Sequence, residues 1–482
     1  MERVLTVEQM RVADSYTIEK LGVMQSDLVE RAGRAVADEI LKRFYGGRVL
    51  VCVGKGNNGA DGRVVANILS KKHGYSVVVY NVATGMLKIF DKKFDIIVDC
   101  IFGTGLNKNV DGKYKNTIEK INASGAYVVS CDIASGLNGD NGWVMGEAVR
   151  ANLTVAIQEY KLGHFLNDGI DYSGQVVCKD IGISVWDEDC AKRLNDDDVK
   201  RYFPLKPRNS HKGTFGSACV IGGSKQYTGS ILLSANALCA MKMGAGYSYL
   251  VVPKSLFNSY VGLVPECTLS CFEDDGEGYV LDIKNIERIL KCDAISFGMG
   301  VGVSRSVYDI IVFLLENYNG TLVLDADALN CLSKYGVSVL KNKKCKVIVT
   351  PHVGEFSRLT GVEKGEILYS PIDYAKDFAK KFGIVVLLKN AVSIITDGKE
   401  VYLNTTGCSG MAKAGSGDVL SGILAGILVR EESVLEATAV ASYVFGKAGE
   451  RVCKEQNEYT MTASDIINAL PLIINEIRSQ SK

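Results

Sequence analysis

Leu420, Ile423, Leu424, Ile427 and Leu428 recur with the spacing of one helix face, and directly before them stand Gly415, Ser416, Gly417 and Asp418. The pattern predicts a helix that begins near Asp418 and buries one face. The loop ahead of it carries almost no side chain, which leaves the amides of the helix N-terminus free to face an anion. The same period over residues 26–41 places Leu28, Ala32, Ala35, Val36 and Ile40 on one side of a second amphipathic helix. Elsewhere the apolar positions come in short runs, each closed by glycines or polar residues. Residues 49–53 run into a glycine loop at 54–62, residues 94–100 into Gly103 and Gly105, and residues 126–132 into Ser135 and Gly136. Farther on, the runs at 217–221, 294–297, 321–324, 347–349 and 384–388 behave alike. Helical stretches such as Val64, Val65, Ile68 and Leu69 lie between them. This alternation predicts α/β folding in doubly wound sheets, whose ligands gather beyond the carboxyl ends of the strands. Residues 186–212 are charged, contain Pro204 and Pro207 and lack apolar periodicity, so they mark a join between domains at 1–196 and 197–482.

Composition narrows the function classes. Lys plus Arg equals Asp plus Glu at 55 each, giving no electrostatic footprint for nucleic acid or an anionic membrane. The 50 glycines in a chain that is 47% hydrophobic fit many tight strand-to-helix turns. The 14 cysteines are scattered, several inside apolar runs, and read as buried thiols of a reducing compartment, so that zinc is not expected. No signal-peptide pattern or membrane-length apolar run is present, and the expected location is the cytoplasm.

Two constellations carry chemistry. A carboxylate in an anion cradle is costly unless it has a task, and the task available to Asp418 is to take a proton from a hydroxyl that attacks phosphorus. In the first half, Asn57, Asn58 and Asp61 put side-chain oxygens where a dinucleotide fingerprint keeps bare backbone, which suits a hard cation or sugar hydroxyls. Asn58, Asp99, Asp132 and Ser135 all fall at predicted strand ends and would converge. Asp325, Asp327 and Glu355 suit Mg2+, directly or through water, beside phosphates. Taken singly, each of these residues reads equally well as a helix cap or an Asx turn.

GNNGADG, VDCIFGTGL, CDIASGLNGDNG and EYKLGHF, within residues 1–183, resemble the NAD(P)H-hydrate epimerase domain, which is Rossmann-like and three-layered. The resemblance implies a potassium ion held by Asn58, Asp99 and Ser135. It implies substrate contacts from Asn57, Asn58, Gly59, Ala60 and Asp61, from Gly103, Thr104, Gly105, Leu106, Asn107, Lys108 and Asn109, and from Asp132. Asp132 is the implied acid/base, with Lys161 a second candidate. Ala60 and Ala134 stand where this family usually has glycine and proline. HKGTFG, IGGSKQYTGS, FGMGVG, LDADALN, TPHVGEF, LLKNAVS and AGSGDVLSG, within residues 201–471, resemble the ADP- or ATP-dependent NAD(P)H-hydrate dehydratase domain, which is ribokinase-like. That resemblance implies that Lys389, Asn390, Ala391, Val392, Ser393 and Gly417 contact the adenine nucleotide, and that Ser230, Gly300, His352 and Asp418 contact the hydrated cofactor. Together the halves are similar to the bifunctional NAD(P)H-hydrate repair enzymes. The implied partners are small molecules, hydrated NADH or NADPH with ADP or ATP, in a homo-oligomer. The rival reading is a ribokinase-like small-molecule kinase, whose product keeps its phosphate, fused to a silent nucleotide-binding scaffold.

Overall fold

The computed structural model describes residues 1–186, 189–241, 245–282, 287–429 and 433–479, so Asp187 and Glu188 of the charged stretch lie outside it. The chain forms two compact units, residues 2–191 and residues 192–482 together with Met1.

In the first unit, helices α1 (Val7–Glu19) and α2 (Gln25–Arg43) precede β1 (Gly47–Val53), α3 (Asn57–Ser70) and β2 (Tyr75–Asn81). Then follow β3 (Ile96–Cys100), α4 (Gly112–Asn122), β4 (Tyr127–Cys131), β5 (Leu153–Ile157) and β6 (Gln175–Lys179). The sheet is parallel with strand order β2-β1-β3-β4-β5-β6. Alternation along β1 sorts its side chains. Val49, Val51 and Val53 pack with α2 and α3, whereas Leu50 and Cys52 pack with Ile118 and Ile121 of α4. Helices therefore cover both faces, giving the three layers expected. Because β2 lies on one side of β1 and β3 on the other, the chain reverses direction of growth between β1 and β3, and a crevice opens beyond their ends.

The glycine loop is shorter than its composition predicts. Helix α3 starts at Asn57 with Gly56 as its N-cap, so Asn57, Asn58, Gly59, Ala60 and Asp61 are helical. Gly59 fits only because it lacks a side chain: a Cβ there would lie 2.2 Å from Gly54 O.

The second unit runs through β7 (Ser217–Gly222), α5 (Thr228–Met241), β8 (Tyr247–Pro253), β9 (Thr268–Asp274) and β10 (Val280–Asp282). Next come β11 (Ala294–Met299), α6 (Arg305–Asn317), β12 (Thr321–Leu324), α7 (Asp327–Tyr335), β13 (Lys346–Val349) and α8 (Val353–Thr360). The chain continues through α9 (Pro371–Phe382), β14 (Val385–Leu388), β15 (Ser393–Thr396) and β16 (Val401–Asn404), and closes with α10 (Ser416–Ile427), α11 (Val434–Glu455) and α12 (Ala463–Ser479). Strand order is β10-β9-β8-β7-β11-β12-β13-β14-β15-β16, with the reversal between β7 and β11. The sheet is mixed: β10 runs antiparallel to β9, and β15 runs antiparallel to β14 and to β16. For β15, the cause is the short connection at residues 389–392, which can only fold back as a hairpin. Ser393 is thus the first residue of a strand.

Helix α10 departs from the one-face expectation. Every residue from Val419 to Ile427 is buried, because α5 and α11 both pack against it. Gly422 makes the α5 contact possible, since a Cβ there would sit 2.1 Å from Ser234 O.

Candidate active sites of the two units

The crevice of the first unit is a cavity of about 840 Å³. Asn57, Asn58 and Asp61, which share one side of α3, contribute to its wall, with Gly103, Thr104, Gly105, Leu106, Asn107, Lys108, Asn109, Asp132 and Lys161. Gly59 and Ala60 are not in the wall, and Gly59 lies against Gly54 in the loop after β1. Asp99 and Ser135 lie behind it, fully buried. The Asp99 carboxylate accepts from Ser130 Oγ at 2.8 Å, Ser135 N at 2.9 Å, Ser135 Oγ at 2.6 Å and Ile101 N at 3.2 Å. Burial still leaves its pKa raised against these donors. Asn58 donates its amide to Phe102 O at 2.6 Å and Cys131 O at 3.3 Å, while its buried Oδ1 has no partner. A buried amide oxygen without a donor is unusual, and it is the kind of ligand a hard monovalent cation takes.

Asp132 ends β4 with φ of 65°, a left-handed conformation that an L-residue adopts only when its surroundings impose it. Three contacts impose it. Lys161 Nζ ion-pairs with Asp132 Oδ1 and donates to Ile157 O at 2.6 Å. The Ile157 amide reaches the same carboxylate at 3.2 Å, and His164 Nε2 lies 2.8 Å from Asp132 O. His164 Nδ1 accepts from Lys161 N at 3.1 Å, so Nε2 carries the hydrogen. Complete burial, with the Lys161 charge, pushes the His164 ring down to about 4 and keeps it neutral. Sequence reasoning placed Lys161 second and missed His164, although both belong to the EYKLGHF stretch that it singled out.

In the second unit the polar residues collect beyond β7, β11, β12, β13 and β14. Gly415, in a left-handed conformation at φ of 93°, caps α10 and turns the loop into its first turn. Asp418 sits one turn in. Burial and the neighbouring Asp325 charge raise it to about 6, although a Ser230 hydrogen bond and Lys389 act the other way. Ser234 Oγ donates to the Asp418 carbonyl at 2.8 Å, tying α5 to α10 at this residue. Gly300, at φ of 69°, has Tyr227 and Ser230 against the place where a side chain would be. Ser230, Gly300 and Asp418 are therefore brought together as expected. Lys389 joins them from β14: its Nζ lies 2.8 Å from Asp325 Oδ1, and a Cβ on Gly417 would be 3.5 Å from it. His352 is an adjacent bridge partner of Lys389 and caps α8, its Nδ1 accepting from Gly354 N at 3.0 Å. Burial, helped by the Lys389 charge, lowers the His352 ring. Asn390 and Ala391 are exposed at the hairpin turn, and Val392 is buried beneath it.

The three acidic residues assigned to magnesium are each engaged by the protein. Asp325 Oδ1 takes Lys389 and Oδ2 takes Ser421 Oγ at 2.7 Å; burial alone would raise this carboxyl, but the Lys389 charge leaves it below the usual range. Asp327 accepts from Gly302 N at 2.9 Å, and Glu355 from His352 N at 2.9 Å. Among the described residues no three His, Cys, Asp or Glu side chains form a metal cage. A magnesium ion at these residues would be completed by phosphate oxygens and water, in keeping with the reading of a site beside phosphates.

The family model described as NAD(P)H-hydrate dehydratase matches residues 218–472, and that described as YjeF-related protein N-terminus matches residues 25–89 and 82–163. The bifunctional NAD(P)H-hydrate repair enzyme of Thermofilum pendens is 33% identical over 99% of this chain and 97% of its own length. The chain belongs to the bifunctional NAD(P)H-hydrate repair enzymes. Within that family the second unit is ribokinase-like. An ADP/ATP-dependent NAD(P)H-hydrate dehydratase from Bacillus subtilis, co-crystallised with ATP/Mg2+, covers 59% of the chain at 28% identity and a TM-score of 0.50, over 97% of its own length. A ribokinase-like protein from Enterococcus faecalis shares the fold over 62% of this chain and 99% of its own, at 23% identity and a TM-score of 0.52. No helix among the described residues is long and apolar enough to cross a membrane.

Proposed function

We propose that this chain repairs hydrated NADH and NADPH, the first unit interconverting the R and S hydrates and the second dehydrating the S form at the expense of ADP or ATP. The observation that carries the reading is Asp418. A half-buried carboxyl raised to about 6, one turn into a helix whose first residues are Ser416 and Gly417, is a base matched to neutral pH and aimed where an anion binds. Asp418 takes the proton of the ring hydroxyl as that oxygen attacks the terminal phosphoryl group of the nucleotide. Hydroxide, a poor leaving group, becomes phosphate, and its elimination restores the dihydronicotinamide. Lys389 and the amides at the start of α10 face the phosphoryl oxygens and stabilise their charge. Mg2+ supplies further charge neutralisation when it enters with the nucleotide.

In the first unit Asp132, held by Lys161 and His164, exchanges a proton with the hydroxyl at the carbon that also bears nitrogen. The orphaned Asn58 Oδ1, with the Asp99 and Ser135 oxygens behind it, fits a potassium ion, whose charge would help hold the hydrate. Replacing Asp99→Ala is expected to slow interconversion and abolish its dependence on potassium; equal rates with and without potassium in the wild type would remove the ion from the account.

The whole reading is tested by incubating the chain with hydrated NADPH and ADP. Return of the reduced-nicotinamide absorbance with release of free phosphate is expected. A phosphorylated product that accumulates without absorbance recovery would identify a small-molecule kinase instead.

A further inference from the structure

We propose that Asp61 is the proton donor that works opposite Asp132 in the cavity of the first unit, an assignment that rests on the epimerase reading of that cavity. Interconverting two configurations at a carbon that bears a hydroxyl and a ring nitrogen requires that bond to open and reclose. When a base removes the hydroxyl proton, the electron pair of the O–H bond forms the second bond of a carbonyl, the C–N bond breaks, and its electrons go to nitrogen. That nitrogen must receive a proton as the bond breaks and give it back when the ring closes on the opposite face of the aldehyde. One group gains a proton while another loses one, and the cycle consumes no co-reactant. Two acid/base groups of opposite character are therefore needed, within reach of one small substrate.

The cavity holds such a pair. Asp132 is ion-paired with the Lys161 ammonium. Asp61 lines the same cavity and is 9% exposed, and the Cys131 thiol faces its Oδ2 at 3.9 Å. The position is built in. Asp61 is one turn along α3 from Asn57, and α3 is clamped by α2 at Gly33, where a Cβ would be 2.7 Å from Asp61 O. The titratable groups that act on Asp61 are Asp132 and Cys131 at the end of β4, Asp14 on α1, and Cys100 on β3. Each of them carries negative charge or none. Burial first, then the Asp132 charge, raises Asp61 to about 8, so it holds its proton at neutral pH. A carboxylic acid kept neutral beside a paired carboxylate divides the two roles.

The experiment follows interconversion of R and S hydrated NADPH by chromatography, without ADP, in the full-length chain. Asp61→Asn is expected to lower kcat about a hundredfold or more while KM stays within about threefold, and Asp61→Glu, which restores an acid, to recover much of the loss. Wild-type kcat is expected to fall on the alkaline side with a limb near 8. Asp61→Asn at near wild-type kcat, or a change confined to KM, overturns the assignment and leaves the epimerase reading intact. So does a wild-type kcat that stays flat from about pH 7 to about pH 10, whatever the variants do. Wild-type protein that never changes the R to S ratio overturns the epimerase reading, and this assignment with it.

Discussion

Asp418, Lys389 and Asp325 act on one another, and this triangle sets how dehydration depends on pH. Asp418 is raised to about 6 and must be ionised to accept a proton, so dehydration is expected to fall as pH drops through about 6. Lys389 opposes that rise and neutralises Asp325. Replacing Lys389→Met removes the cation, so the acid limb is expected to move to higher pH; a limb that stays in place would show that Lys389 does not act on Asp418. The family resemblance implied that Lys389 contacts the adenine nucleotide, and it left the partner of this lysine within the fold open, because a lysine at a strand end has many possible partners. Its pairing with Asp325 depends on β14 and β12 flanking the same strand, β13, and no local pattern encodes that. Asp132 shows the same limit. Its place at a strand end was legible, but its left-handed backbone and its hold by Lys161 and His164 arise across the loop that follows β5.

At the scale of elements, strand and helix existence was legible from period and punctuation, and the deviations have local causes. Helix α3 begins within the apparent glycine loop because Asn and Asp are tolerated in a first turn, where their side chains face the cavity. Helix α10 is buried all round because its small residues, Gly422, Ala425 and Gly426, admit neighbours on faces that their polarity leaves undefined. This contact makes a prediction. Gly422→Ala places a methyl 2.1 Å from Ser234 O, and Ser234 Oγ holds the Asp418 carbonyl. The variant is expected to destabilise the second unit by about 1–3 kcal/mol and to slow dehydration. Unchanged melting and unchanged turnover would show that α5 and α10 pack more loosely than described.

For the whole molecule, the two sites lie in separate compact units, and each is built at the reversal point of its own sheet. That division was legible in two sets of strand-end motifs on either side of the charged stretch 186–212, and the first unit ends inside that stretch, at Ala191. If each unit carries one reaction, a change in one must leave the other intact. Asp418→Asn preserves size and helix-starting ability but removes the proton acceptor. The most direct measurement compares wild-type and Asp418→Asn chains supplied with pure R hydrate and ADP, following R to S conversion and NADPH recovery together. Dehydration is expected to fall about a hundred- to ten-thousandfold while R to S conversion proceeds at the wild-type rate. NADPH recovery at a near wild-type rate, or loss of both activities at once, would contradict the account.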